Sequence, residues 1–394
     1  MKSNVIIWGI TAILFGSVGN CFGNASLQSA QLLYSRIAGV KLSYSSPVLL
    51  TMKTLLDKKK YSSAADVALN SDDFYNITLF QFFAPLSTRS EAPDVELNDM
   101  IAMGIANTFV DLRTGKDRPF TELLTGDFTV RFNNSDLALN NNEMLSKAFR
   151  ERIVLTPKNL TIKYPQRSGL SDAAGVLTSR QFLKEHAQGG TNRRLVHFAF
   201  REFLCTDIKE WRDADQNISD DYVARDVNRA PGGGRAGMNV YQSDCRSCHQ
   251  VQDGLRNAFA FHDFDAQSLM PIYRETVSEK INKNILFDGG FVVSDDSWEN
   301  RAIRNGNSQR FGWRGALSGK GARAFGQMIA NSEKFSICTV ERVFKQLCKR
   351  PLNSNEDSLK RELARKFEND DYSLRGLFRN IAINPKCFQI GEGL

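Results

Sequence analysis

Residues 245–266 read CRSCHQVQDGLRNAFAFHDFDA, and the first five, Cys245-Arg246-Ser247-Cys248-His249, set the expectation for the whole chain. Two thiols separated by two residues fall on one side of a single helical turn, and the imidazole follows at once. That spacing suits covalent attachment of one c-type haem: each thiol adds to one vinyl group of the porphyrin, and His249 is the proximal iron ligand. A thioredoxin-like pair would need a βαβ setting, which the flanking sequence lacks. A zinc site would need two more ligands, drawn from Cys338, Cys348 and Cys387, but no second Cys-x-x-Cys pair exists. A disulfide between Cys245 and Cys248 would close an unfavourably short loop.

A sixth iron ligand in an electron-transfer site is usually Met or His. The candidates are Met270, followed by Pro271, and His262 and Met328, the last on an expected helix. An open sixth position is the alternative. It would favour a peroxidase-like oxidoreductase, with Arg256, His262 and Asp263 as polar groups near the iron. A binding or scaffold role in the cell envelope is a third reading, because the flanking helical sequence exceeds what one haem needs. The remaining downstream cysteines allow disulfides in an oxidising compartment. Cys338 and Cys348 sit too far apart on one helix to bond each other. Cys338–Cys387 or Cys348–Cys387 would staple the C-terminus, and Cys205 is left unbonded or pairs with whichever remains.

The N-terminus points to export. Lys2 precedes the apolar run VIIWGITAILFGSV (5–18), and small residues follow at Gly19, Gly23 and Ala25. Residues 1–25 therefore resemble a cleaved signal peptide. Asn20 before Cys21 disfavours lipoprotein processing, which wants a small residue there. No later stretch has the ~20 apolar residues that span a bilayer. A periplasmic or otherwise extracytoplasmic location follows. The 394 residues carry a formal charge of +7, spread along the chain, with Lys58-Lys59-Lys60 as the one basic run. No interleaved basic and aromatic pattern favours nucleic acid. The basic excess suits an acidic redox partner or an anionic surface, with the redox partner and the oligomeric state left open.

Helical spacing dominates, so the fold class reads as mainly α, with several helical units around a small cytochrome c-like segment. Residues 26–165 form an N-terminal helical unit. Its aromatic run at Phe74, Ile77, Leu79, Phe80, Phe82 and Phe83 reads as core, and residues 116–166 are less regular. Residues 166–237 hold a helical segment over 177–211, then a polar loop ending in Ala230-Pro231-Gly232-Gly233-Gly234. Residues 238–316 carry the haem motif. Residues 317–394 form a C-terminal three-helix unit: Ala322 to Lys349, a helix capped by Ser354, and one that places Leu374, Leu377, Phe378 and Ile381 together.

The segment 245–266 also resembles the planctomycete-type cytochrome-like proteins, exported bacterial proteins built from consecutive domains of unknown function. Cys245, Cys248, His249, Asp253, Phe264, Asp265 and Ala266 follow that family's order. DRPFTELLT (117–125), Gly175-Val176-Leu177-Thr178, Phe182-Leu183, Thr191, Arg194 and Phe203-Leu204-Cys205 resemble its upstream blocks, and residues 335–350 its C-terminal domain. The chain departs at Gln252, where the family tends to have Met, and at Gly254, which replaces Pro. The resemblance implies an exported, haem-bearing, mostly helical protein. It implies no substrate.

Overall fold

A computed structural model describes residues 18–91, 95–133, 151, 153–212, 222–226, 241–283, 285–286, 289–304 and 306–388. Residues 1–17 of the leader expected over 1–25, and most of the polar loop at 213–237, lie outside those residues, while 18–25 begin the first helix. The protein is mainly α, as its spacing predicts, with short antiparallel strand pairs.

Leu33 and Ile37 lie one turn apart and are buried on α1 (Val18–Ala38), which packs on α2 (Pro47–Asp57) and α3 (Tyr61–Leu69). Pro47 opens α2 where no N–H is needed. The aromatic run is core. The chain makes a widened turn over Phe74–Leu79, and Phe74 and Phe82 each meet Phe378 edge-to-face, at 5.3 and 5.5 Å. These rings join the N-terminal helices to the C-terminus.

The region expected as one helix over 177–211 is broken. Gly189 and Gly190, both at positive φ, and Asn192, also left-handed, separate Arg180–His186 from Arg193–Leu204. With α4 as Asp99–Asn107, these helices are α5 and α6. The Cys-x-x-Cys-His motif opens α7 (Arg246–Leu255). The span Ala322 to Lys349 likewise divides into α8 (Gly321–Ala330) and α9 (Glu333–Cys348). Ser332 turns extended there and accepts from the Phe335 amide at 3.2 Å, capping α9. Asn353, rather than Ser354, caps the next turn, with Glu356 reaching back to the Asn353 amide at 2.9 Å. That turn leads into α10 (Asp357–Asn369), and α11 (Leu374–Ala382) buries Leu374, Leu377, Phe378 and Ile381 as predicted.

Three strand pairs bear on the site. β1 (Thr129–Phe132) pairs with β2 (Leu160–Lys163), β3 (His262–Asp265) with β4 (Met270–Tyr273), and β5 (Ser297–Glu299) with β6 (Ser318–Lys320). Gly254 lets α7 approach β5, since a Cβ there would lie 2.8 Å from the Glu299 carbonyl oxygen. Gly326 plays the same part for α8, where a Cβ would strike the Leu124 carbonyl.

One contiguous apolar core runs from Ala30 to Phe388 through the segments expected as separate units. Disulfides bond Cys205 to Cys338 and Cys348 to Cys387, one of the pairings left open by sequence. The first ties α6 to α9 across a separation of 133 residues, the second closes 39. Chain entropy makes them worth about 5 and about 4 kcal/mol respectively. Among the described residues no helix is long and apolar enough to cross a membrane.

His186 packs inside this core, stacked on Phe198 at 4.0 Å. Burial, helped by Arg89 and Arg201, holds its pKa well below 6.5. The unfolded chain therefore takes up a proton near pH 6.5 that the folded protein refuses. Stability drawn from this group is complete above pH 6.5 and declines as pH falls below it, by up to about 1.4 kcal/mol per pH unit. Glu202 has the opposite sign, because burial pushes its carboxyl up to about 7 against the pull of Arg342 and Arg201. The difference between wild type and His186→Leu isolates the histidine. Its stability relative to wild type should improve steadily from pH 6.5 to 5 in urea titrations. A difference that does not change with pH would contradict the assignment.

Candidate haem-attachment site

Tyr241–Cys245 forms one wide turn that feeds directly into α7. Cys245, Cys248 and His249 stand at positions i, i+3 and i+4 of that entry, so they share a face. All three are partly exposed, while the following residues Gln250 to Leu255 are buried. Cys245 packs on a small cluster of Val223 and Tyr241, and the Tyr241 ring lies edge-on to His249 with centroids 6.1 Å apart.

Beneath this face lies a buried charge cluster. Arg193, the first residue of α6, reaches between two aspartates. Its Nε donates to Asp253 Oδ1 at 2.5 Å and its Nη2 to Asp253 Oδ2 at 3.1 Å. Nη1 and Nη2 each donate to an Asp226 oxygen at 2.9 Å. Arg256 lies 3.5 Å from Asp253 Oδ1 and donates to the Thr191 carbonyl at 3.2 Å. Two cations thus meet two anions with most donors satisfied, the condition for burying charge. Burial alone would lower Arg193, but Asp253 and Asp226 outweigh it and hold its pKa up. The cluster also acts on His249. Burial first, then Arg193, lowers its pKa below 6.5, against Asp253 and Asp226. The imidazole is kept neutral, the form that binds a metal.

Of the three sixth-ligand candidates, His262 and Met328 have side-chain partners and Met270 lines a cleft. His262 is fully buried, with Nε2 3.3 Å from Asp172 Oδ2 and its ring 5.0 Å from Tyr273. Asp172 in turn accepts from the amides of Ala322 and Arg323, at 2.5 and 3.0 Å, capping α8. Met328 is buried on α8, and its sulfur accepts from Asn300 Nδ2 at 3.2 Å. Met270 is exposed on β4, beside Arg131 and Arg180 in a separate cleft. The polar groups named for an open site are engaged as well. Arg256 belongs to the charge cluster, and Asp263 accepts from Lys280 Nζ and Ser278 Oγ, each at 2.7 Å.

The two disulfides consume Cys338, Cys348 and Cys387, which a zinc site would have drawn on. Both motif cysteines lie outside those disulfides, with His249 on their face, so the donor set fits thioether attachment and one imidazole ligand. Arg193 and Asp226 escape a sequence reading, because Arg193 reaches Asp253 and Asp226 across 60 and 33 residues of chain with no local signal. Compared with known proteins, the chain matches no family model, no curated protein sequence and no solved structure.

Proposed function

We propose that Cys245, Cys248 and His249 hold one covalently attached haem c in a cytochrome c-like segment, and that the protein is an exported electron carrier of the bacterial cell envelope, akin to the planctomycete-type cytochrome-like proteins. The observation that carries this reading is the shared, partly exposed face of the two cysteines and His249 at the entry to α7. A bound haem supplies an iron that exchanges one electron between ferrous and ferric states. The chain's part is to offer two thiols on one turn, to keep the His249 imidazole neutral, and to hold α7 rigid through Arg193 and Asp253. The two disulfides support an oxidising compartment, in keeping with the leader-like N-terminus.

A second reading has one observation in its favour. His262 is engaged by Asp172, Met328 by Asn300, and Met270 lines the cleft beside Arg131 and Arg180, which favours an oxidoreductase with an open sixth position. Carbon monoxide separates the two. The ferrous protein, expressed with haem-maturation factors, should show c-type absorption bands that carbon monoxide leaves unchanged. Rapid spectral change with the gas would replace the carrier by the oxidoreductase, and the absence of haem bands would remove both.

A further inference from the structure

A cleft of about 400 Å³ opens between β1, the loop at 166–168, the start of α5, and Met270 and Pro271 of β4. That volume lies within the range of small-molecule sites. Three arginines line it, Arg131, Arg167 and Arg180, against one acid, Asp99. Asp99 is already committed, since its oxygens accept from the Arg180 and Gln181 amides at 2.7 and 2.9 Å. Arg180 is held by the Leu269 carbonyl at 2.8 Å.

Arg167 is different. Its Nη2 is sealed from solvent and has no hydrogen-bond partner. Among the described residues no carboxylate pairs with Arg167 or Arg131. Burial alone acts on the Arg167 guanidinium, and it lowers the pKa. Arg167 is half-buried, and a guanidinium partly drawn out of water without an anion carries a cost that Arg193, with two aspartates, does not. A structural arginine would be expected to come with its acid. Here no acid pairs with it among the described residues, while a cavity adjoins the cation.

We propose that this cleft binds a small oxyanion ligand, a carboxylate or phosphate group, with Arg167 and Arg131 as its cationic partners and a short apolar part against Met270 and Pro271. Planar guanidinium groups match the paired oxygens of either anion. The proposal stands apart from the haem reading, since none of its residues belongs to the motif face.

The test is thermal unfolding of the full exported chain in inorganic phosphate, in succinate, and in chloride at matched ionic strength. A rise in Tm of about 2 °C over chloride is expected at saturating ligand. Phosphate alone raising Tm assigns a phosphate ligand, and succinate alone a carboxylate. Arg167→Gln should abolish the rise, and its Tm in chloride should be no lower than wild type, because it loses an uncompensated charge. Arg131→Gln, at an exposed position, should weaken binding about 10-fold. Neither anion exceeding chloride would overturn the proposal. So would an undiminished response in Arg167→Gln, or a Tm for that variant several degrees below wild type in chloride.

Discussion

Arg193→Ala is expected to cost about 3–5 kcal/mol of stability, the range for removing one partner of a buried ion cluster. The Asp253 side chain is fully buried and the Asp226 side chain is 7% exposed. Without Arg193, the arginine that acts on both among the described residues is Arg256, 3.5 Å from one Asp253 oxygen. The loss is that of stranding two carboxylates, and it exceeds the net worth of the pairs themselves. Arg193→Lys should fall between, because a single ammonium cannot serve both carboxylates through separate donors. A second readout reports on the site. Arg193 is the largest charge holding His249 down, while Asp253 and Asp226 pull it up. In the haem-free Arg193→Ala protein, the His249 ring should titrate at higher pH than in wild type, as followed by NMR. Urea unfolding that shows a loss under about 1 kcal/mol, or a His249 titration that does not move, would contradict this account of the cluster.

The parts of this structure legible in sequence are those encoded locally. Helical spacing gave the mainly α class, and the amphipathic face of α11 holds residue by residue at Leu374, Leu377, Phe378 and Ile381. The Cys-x-x-Cys-His spacing gave the shared face at the start of α7, because three to four residues of helix return to one side. Helix ends were less legible. The helix expected over 177–211 carries on through Gly189 and Gly190, yet their left-handed backbone ends α5. At Ser332, a capping hydroxyl divides what apolar periodicity reads as one helix. Long-range choices were the least legible. Cys387 had two possible partners by sequence, and packing of α9 against α6 decides it by bringing Cys338 to Cys205. The cleft at Arg167 is invisible for the same reason, since β1, α5 and β4 meet only in three dimensions.

Replacing both Cys245 and Cys248 by Ala is expected to remove all covalent haem, with little change in the fold. Both residues are partly exposed, and neither belongs to the disulfides that brace α6, α9 and the C-terminus. Thioether formation adds each S–H across one vinyl double bond and releases nothing. The attached chain therefore gains the full mass of one haem, and either single variant retains one thioether. Because His249 is kept neutral by burial and Arg193, the double variant should still offer an imidazole, and any haem it binds should be lost on denaturation. Intact mass of the denatured, exported protein, made with haem-maturation factors, is the most direct measurement. The account predicts the cleaved polypeptide plus one haem for wild type and the polypeptide alone for the double variant. A wild-type mass without haem, or lacking the two hydrogens of a further disulfide between Cys245 and Cys248, would contradict it.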